Sequence, residues 1–413
     1  MESGTSSESK AEVRAKMKTL TDILGREDLE SMLRPLDEAT PPPAAYYTSQ
    51  DLYDLEIRNI FHKEWLWVGH SQDVRNPGDY FTFTYANEPV LVTRDQAGEL
   101  HAFSNVCRHR GAIVAAGQGN CRSFACPYHK WTYGLNGKLL GAPTMNEVKG
   151  FDPSQYGLNP LKVESWEGNI MVNFDPACKP LAASLGDMGD YFQHFHMADL
   201  VCTERKVYDI PCNWKMLVEN NMEGYHIIGT HEAPGEYCKL EHWRTIEGRG
   251  LYDILAAEFD EPLTMNVAGS GGAPAVSIQG LSDAELKRGY FMTLYPNNLW
   301  ALQPDNIVCL HMIPDGVDHT KWVVDYHFPK STVERPDFEA IAKEAYAGVE
   351  GFVVQDLDVC DKTYRGYKSQ VFRPGRLSLH ERNMHRFARY VMARVSNQEF
   401  LTAADQSSAA AGR

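Results

Sequence analysis

Two textures of apolar and polar residues divide the chain. From Trp65 to Phe174, short runs alternate between the two kinds, as in Tyr80-Phe81-Thr82-Phe83-Thr84, Val90-Leu91-Val92-Thr93 and Leu100-His101-Ala102-Phe103. A period of two puts one set of side chains on one sheet face, so these runs predict strands. Asn76-Pro77-Gly78-Asp79 and Asn136-Gly137 punctuate them as turns, and Gly168 to Phe174 closes the unit as a last strand. Further on, Tyr290 to Tyr295, Ile307 to His311 and Trp322 to Phe328 predict strands of a second antiparallel sheet. Pro336 to Thr363 and Leu379 to Val395 carry helical spacing, the first with its proline in the opening turn. Ser49-Gln50-Asp51 marks a helix start, with Leu52, Leu55 and Phe61 on one face.

The pattern predicts an α+β protein: a small all-β domain followed by a domain with an antiparallel sheet flanked by helices. The expected divisions are a flexible tail over residues 1–45, with one helix near Glu12 to Leu24, and a β domain with its leading helix over 46–175. A second domain over 176–400 opens on a short helical connection to about residue 205, and a loose tail covers 401–413.

A length of 413 residues agrees with two domains, and 43% hydrophobic with 23% charged residues provides a sizeable core. The net charge of −15 argues against a nucleic-acid partner, which wants a basic face. The opening MESGTSSESK has no apolar segment of a secretory signal, and no run of about 18 apolar residues predicts a membrane helix. Of nine cysteines, the seven other than Cys107 and Cys126 are scattered singly and odd in number, which fits reduced thiols in a cytoplasmic protein better than a disulfide framework.

Candidate chemistry concentrates in two stretches. Cys107 to His129 holds a C-x-H pair and a C-x-x-H pair, with 16 residues between His109 and Cys126. Two thiolates and two imidazoles on two loops suit either a zinc ion or a [2Fe–2S] cluster in which two His replace two Cys on one iron. Downstream, Glu223, His226 and His231 form E-x-x-H-x4-H. Two His and one carboxylate on one face leave positions open on a mononuclear iron. From the residues alone the carboxylate is Glu223 or one of Asp356, Asp358 and Asp361.

With both stretches in view, the chain resembles the Rieske non-heme iron oxygenases, specifically their catalytic α subunits, over roughly residues 45–400. The resemblance rests on C-x-H-x16-C-x2-H followed by Asn213-Trp214-Lys215, Glu219-Asn220 and the E-x-Y-H-x4-H of Glu223 to His231. It implies that Cys107 and Cys126 hold one cluster iron and His109 and His129 the other. It implies His226, His231 and Asp356 as ligands of the mononuclear Fe(2+), with Asp358 as fallback. Glu223 stands where most members carry Asp, as an electron bridge from an iron histidine to a cluster histidine of the neighbouring subunit in an α3 ring. Glu at that position, with Arg365 to Ser369 and Gly375 to Ser378, is similar to the carnitine, choline and betaine monooxygenase branch. Asp361-Lys362-Thr363-Tyr364 departs from that branch's usual Glu-x-x-Gln.

The resemblance also implies O2 as cosubstrate and electrons from NAD(P)H through a separate ferredoxin or flavin reductase. This chain has neither a glycine-rich nucleotide motif nor a plant-type ferredoxin spacing. No second cysteine accompanies either ligand loop, which predicts few hydrogen bonds to the sulfurs and a low potential. The implied reaction is hydroxylation or oxidative dealkylation of a small molecule, with a methylammonium or N-/O-alkyl compound leading. Dihydroxylation of an aromatic ring is the alternative within the family. A Rieske electron carrier or a zinc module are the alternatives outside it. Tyr225, Phe291, Tyr295, Trp300 and Trp322 are candidates for the pocket wall.

Overall fold

The computed structural model describes residues 19–231, 239–263 and 275–400. The expected tail at 401–413, the first part of the expected helix near Glu12, and Cys238 lie outside the described residues.

Ten short strands build the first half. They are β1 (Leu66–His70), β2 (Asp79–Tyr85), β3 (Glu88–Arg94), β4 (Leu100–Ser104), β5 (Gln118–Asn120), β6 (Ser123–Ala125), β7 (Thr132–Gly134), β8 (Leu139–Gly141), β9 (Pro160–Trp166) and β10 (Asn169–Asn173). Seven of them form one sheet in the order β1-β10-β9-β4-β3-β2-β5, and β6-β7-β8 form a small separate sheet. All the pairings are antiparallel. Two-residue hairpins at Ala86-Asn87 and Glu167-Gly168 have positive φ at both positions, the turn whose twist matches the strands it joins. At the Asn136-Gly137 turn a Cβ on Gly137 would lie 2.4 Å from the Phe103 ring, so the turn needs glycine for space as well as for its φ of +77°.

The second sheet has seven strands, β11 (Val201–Ile210), β12 (Trp243–Glu247), β13 (Tyr252–Glu258), β14 (Arg288–Leu294), β15 (Asn298–Leu302), β16 (Ile307–Pro314) and β17 (Thr320–Phe328). Their order is β11-β17-β16-β15-β14-β13-β12, antiparallel throughout. The expected helical connection stops early, because β11 begins at Val201. Its alternating exposure, characteristic of an edge strand, hid it from a search for apolar runs.

This second sheet separates two environments. On one face His311, Trp300 and His327 meet the first sheet. Trp67 stacks on His311 at 3.5 Å, Trp166 on Trp300 at 5.7 Å, and His70 lies 5.4 Å from His327. On the other face Tyr326 meets Tyr346 of the long helix Phe338–Tyr367 at 4.6 Å. Alternation along β17 decides this, since Tyr326 and His327 are neighbours and must point to opposite faces. The helix begins at Phe338 with Asp337 as its cap, so Pro336 precedes the opening turn instead of lying in it.

The expected flexible stretch to residue 45 is folded from residue 19 onward. Helices Leu20–Leu24 and Arg26–Met32 bury Leu24 and Met32 in the main core. The helix Gln50–Glu56, capped by Ser49, buries Leu52 and continues through Ile57–Phe61. Its Glu56 forms a buried ion pair with Lys215 at 2.6 Å and accepts the Trp214 indole N–H at 2.9 Å. The leading helix therefore packs against the second half of the chain, and burial of both charges makes their pairing obligatory.

Candidate metal centres

The two cysteine loops have one construction. In each, the Cys N–H donates to the carbonyl five residues on, Cys107 to Ala112 and Cys126 to Trp131, both at 2.8 Å. In each, the Cys carbonyl accepts from the N–H four residues on, Gly111 at 3.0 Å and Lys130 at 3.1 Å. Those fourth residues have φ of +76° and +60°, which turns the chain back on itself. Cys107 and Cys126 are buried, while His109 is half-buried and His129 exposed. The two imidazoles face each other at 4.6 Å, with Trp131 stacked beneath His109 at 4.8 Å. The loops rest on their own small core of Phe103, Phe124, Tyr133 and Leu139, separate from the main core.

Tyr133 is a residue the sequence reading missed. Its hydroxyl accepts the Arg108 N–H at 3.1 Å and lies 3.2 Å from Cys107 Sγ, to which it donates when that sulfur is a thiolate. Burial works to raise the Cys107 thiol, and the Tyr133 hydroxyl with nearby backbone N–H groups overcomes it, so the net direction is down. The expectation of sulfurs poor in hydrogen bonds is corrected here for Cys107. The sequence signal available was a tyrosine, with its polar tip, at the centre of the short strand β7, where it is buried.

The second centre is assembled from two elements. The helix Trp214–Asn220, capped by Asn213, ends at Asn221, and a short helix Ile227–Thr230 follows between His226 and His231. Glu223 Oε2 accepts the N–H of His226 at 3.0 Å and that of Tyr225, which starts the second turn. Its Oε1 lies 2.8 Å from His226 Nδ1. The His226 Nε2 faces Asp356 Oδ1 at 3.6 Å, and His231 Nε2 faces the same oxygen at 3.4 Å. His231 Nδ1 lies 2.9 Å from Gln355 Oε1, and Phe352 packs edge-on against its ring at 4.9 Å.

The structure thus brings His226, His231 and Asp356 together and places Glu223 behind His226 as a partner of its other nitrogen. Asp358 and Asp361 turn to solvent, paired with Lys362 at 2.5 Å and Arg365 at 2.8 Å. Asp356 instead falls in the buried stripe Val353, Asp356, Cys360 and Tyr364 of the long helix. An acid at an apolar position of a helical period was the signal that separates it from its neighbours. Burial raises the Asp356 carboxyl, and the two imidazoles only partly offset this. Burial acts to lower His226 and is outweighed by its hydrogen bond to Glu223 and by the charges of Glu223 and Asp356, so the net direction is up.

Both groups of residues fit the metals their donor types imply. His109 Nδ1 and Asp356 Oδ1 are buried and, among the described residues, have no hydrogen-bond partner. Such atoms are costly unless something binds them. At the cluster loops two thiols and two imidazoles present the ligand set of a [2Fe–2S] centre. At the second centre two imidazole Nε2 atoms and one carboxylate present that of a mononuclear iron with open positions.

Beside the second centre lies a small apolar group of Ile227, Trp243, Leu255, Ala257, Phe259 and Phe291. A Cβ on Gly224 would meet the Trp243 ring at 3.3 Å, so glycine there lets the indole approach the metal-side turn. Of the expected wall residues, Phe291 is in this group and Tyr225 is exposed. Tyr295, Trp300 and Trp322 are instead fully buried in the main core, Tyr295 against Phe387 and Tyr390.

Comparison with known proteins agrees with this geometry. A family profile described as "Rieske [2Fe-2S] domain" matches residues 64–152, and one described as "Ring hydroxylating alpha subunit (catalytic domain)" matches residues 197–397. The chloroplastic choline monooxygenase of Beta vulgaris is 30% identical, over 86% of this chain and 76% of its own length. The glycine betaine monooxygenase oxygenase subunit of Pseudomonas aeruginosa is 35% identical over 50% of this chain and 48% of its own. Among solved structures, a quaternary ammonium Rieske monooxygenase described with carnitine oxidation superposes with a TM-score of 0.74 at 25% identity. That superposition covers 87% of this chain and 96% of the other. With both family domains in order and both metal-type centres assembled, the chain belongs to the Rieske non-heme iron oxygenases, as a catalytic α subunit with a [2Fe–2S] cluster and a mononuclear iron.

Proposed function

We propose that this chain is the terminal oxygenase of a multicomponent monooxygenase acting on a methylammonium or related N-alkyl compound. The observation that carries the substrate reading is the aromatic wall beside the His226–His231 turn, where Trp243 and Phe291 lie 5.6 Å apart. Aromatic faces attract quaternary ammonium groups, and a low-dielectric wall strengthens that attraction. The relatives named for choline, glycine betaine and carnitine support the same class. The apolar character of this wall also supports the second reading, hydroxylation of a flat aromatic ring.

In this reading Cys107, His109, Cys126 and His129 hold the cluster, and His226, His231 and Asp356 hold the iron. The bound cluster supplies single electrons and the iron supplies the site of O2 activation. The protein's own part is positional. Glu223 keeps the proton on His226 Nδ1 and Gln355 keeps it on His231 Nδ1, so each Nε2 presents its lone pair toward Asp356. Trp243, Phe291 and Leu255 hold substrate and exclude water.

The electrons come from a separate ferredoxin or flavin reductase, and the chain works as a ring, an α3 oligomer. Within one chain the second sheet stands between the cluster domain and the iron helix, with His327 on one face and Tyr326 on the other. Glu223 would then connect His226 to the exposed His129 or half-buried His109 of a neighbouring copy. No helix among the described residues is long and apolar enough to cross a membrane, and we place the enzyme in the cytoplasm.

The test is O2 uptake and product analysis by the iron-loaded protein with an added reductase. Choline, glycine betaine and carnitine are offered beside aromatic acids and naphthalene. Turnover of a methylammonium compound alone is the expected result, and cis-diol formation from an aromatic ring would replace it with the second reading.

A further inference from the structure

The edge strand β11 carries an irregularity that neither metal centre uses. Arg205 pairs across to Asp325 of β17 and Glu204 to Tyr326, but it is Cys202, not Thr203, that pairs to His327. Thr203 is therefore a bulged residue, and its hydroxyl lies 2.7 Å from the Tyr346 hydroxyl on the helix side of the sheet. In regular alternation Cys202 would share a face with Glu204. The bulge moves it to the face of Arg205, Asp325 and His327, which looks into the seam with the first sheet.

There Cys202, Asp325 and His327 bring one sulfur, one carboxylate oxygen and one imidazole nitrogen within 4.8 Å of one another. His327 is 5% exposed, and among the described residues it alone of the histidines has both ring nitrogens buried without a hydrogen-bond partner. The carbonyls of Asp325 and Ile307 come near its ring outside hydrogen-bond geometry. His311, in the same seam, is by contrast held at Nδ1 by Asn298 Oδ1 at 2.8 Å. A buried imidazole with two unmet nitrogens is costly unless something binds it. Burial, then the charge of Arg205, keeps His327 neutral down to about 4, and neutral imidazole is the form that ligates metal. Arg205 donates Nε to one Asp325 oxygen and an Nη to the other, both at 2.7 Å. Each oxygen keeps a further lone pair, and a ligating carboxylate is commonly oriented by such an outer hydrogen bond. Asp73 lies against the same guanidinium at 3.3 Å. With a Cys202 thiolate, these charged groups leave a net −2 that a divalent ion neutralises.

We infer that Cys202, Asp325 and His327 form a further metal site, which takes a thiophilic divalent cation of the zinc class and releases the Cys202 proton on binding. Sulfur and imidazole donors select Zn2+ over Mg2+ or Ca2+, which want oxygen alone. Tetrahedral bonds of about 2.0–2.3 Å set donors roughly 3.3–3.8 Å apart, so the thiol closes on the ion by about 1 Å through rotation about its Cα–Cβ bond. Cys202 is only half-buried, which gives the ion a way in. Its backbone N–H donates to Gln72 Oε1 of the first half at 3.2 Å. The ion therefore ties edge strand β11 to β17 at the point where Gln72 and Asp73 reach the second sheet, and its role is to hold the two halves in register.

The experiment adds Zn2+ to the full-length protein with its cluster in place and with His226→Ala disabling the mononuclear site. After dialysis into metal-free buffer, elemental analysis should give about one zinc per chain. X-ray absorption at the zinc edge, blind to the cluster irons, should show one sulfur at about 2.3 Å with nitrogen and oxygen at about 2.0–2.2 Å. Adding C202S should remove the sulfur from that shell. Adding C202S/H327Q should lower zinc affinity at least about 100-fold, beyond the range for losing an outer partner, with the cluster's visible spectrum unchanged. C202S replaces a half-buried thiol by a hydroxyl of like shape, so it decides the matter even where the double variant fails to fold. Zinc below about a tenth per chain, or a zinc shell without sulfur, overturns the inference. A sulfur retained in C202S overturns it too, because the zinc then sits on another thiol.

Discussion

Glu223 grips His226 at two points, with one carboxylate oxygen 2.8 Å from the ring Nδ1 and the other 3.0 Å from the backbone N–H. The same side chain therefore sets where the histidine begins its turn and which nitrogen carries its proton. Glu223→Gln keeps the length and loses the charge. It should slow cluster-to-iron electron transfer in a single turnover by at least about tenfold, the lower range for removing such a partner. Rapid-mix absorbance of the oxidising cluster reads this directly. A rate within twofold of wild type would remove Glu223 from the electron path.

His231 is backed by a neutral group where His226 is backed by a charged one, since Gln355 Oε1 occupies the corresponding position at 2.9 Å. Gln355→Leu should weaken Fe(2+) retention about 10–100-fold in a chelator competition, with the cluster's visible spectrum unchanged. Gln355→Glu should restore retention, because it restores the acceptor. Equal retention by the Leu variant would show that other contacts orient His231.

Three acids within six residues of one helix make opposite predictions. Asp356→Ala and His226→Ala should each abolish turnover and empty the mononuclear site while sparing the cluster spectrum. Asp358→Ala removes only an exposed pair with Lys362 and should leave activity within about twofold, since such pairs are worth roughly 0–1 kcal/mol. Iron analysis alongside activity separates the outcomes, and an inactive Asp358→Ala would transfer the ligand role.

Tyr133→Phe deletes the hydroxyl aimed at Cys107 Sγ. A hydrogen bond to sulfur favours the more negative, reduced cluster, so its loss should shift the potential downward. A bond to a charged acceptor is worth about 1.5–3 kcal/mol, which bounds the shift at roughly 60–130 mV for one electron. Voltammetry on the intact protein measures it, and an upward shift would contradict the assigned direction of the bond.

His70 and His327 meet in the seam between the two sheets, 5.4 Å apart. Burial, then the charge of His327, pushes His70 down to about 4, against the opposing pull of Asp73 and Asp325. Burial, then Arg205, pushes His327 down to about 4. An unfolded chain would protonate both near 6.5, so below that pH it binds protons the folded chain refuses. Stability should therefore fall as pH drops from about 6.5 toward 4, by about 1.4 kcal/mol per unit for each ring. Between pH 7 and 5 His327→Gln should lose about 2 kcal/mol less than wild type in urea unfolding. Parallel losses would mean that His327 is not held neutral.

The family, the two metal-type centres and most strands were legible in the chain, because each is a local pattern. Ligand spacing fixes a loop, and strict alternation fixes a sheet face. Asp356 was legible only in part. Its helix could be read, but the choice among Asp356, Asp358 and Asp361 depends on which face packs inward, and that is a property of the neighbour, not of the helix. The tertiary structure alone decided the roles of Gln355 and Tyr133, whose partners lie 124 and 26 residues away in sequence. It also decided the fates of Tyr295, Trp300 and Trp322, since an aromatic residue reads the same in a core and in a pocket wall. The stretch after residue 19 looked like a tail for the same reason. Its few apolar residues bury nothing by themselves, and become core only where Leu24 and Met32 pack into the main cluster built by the rest of the chain.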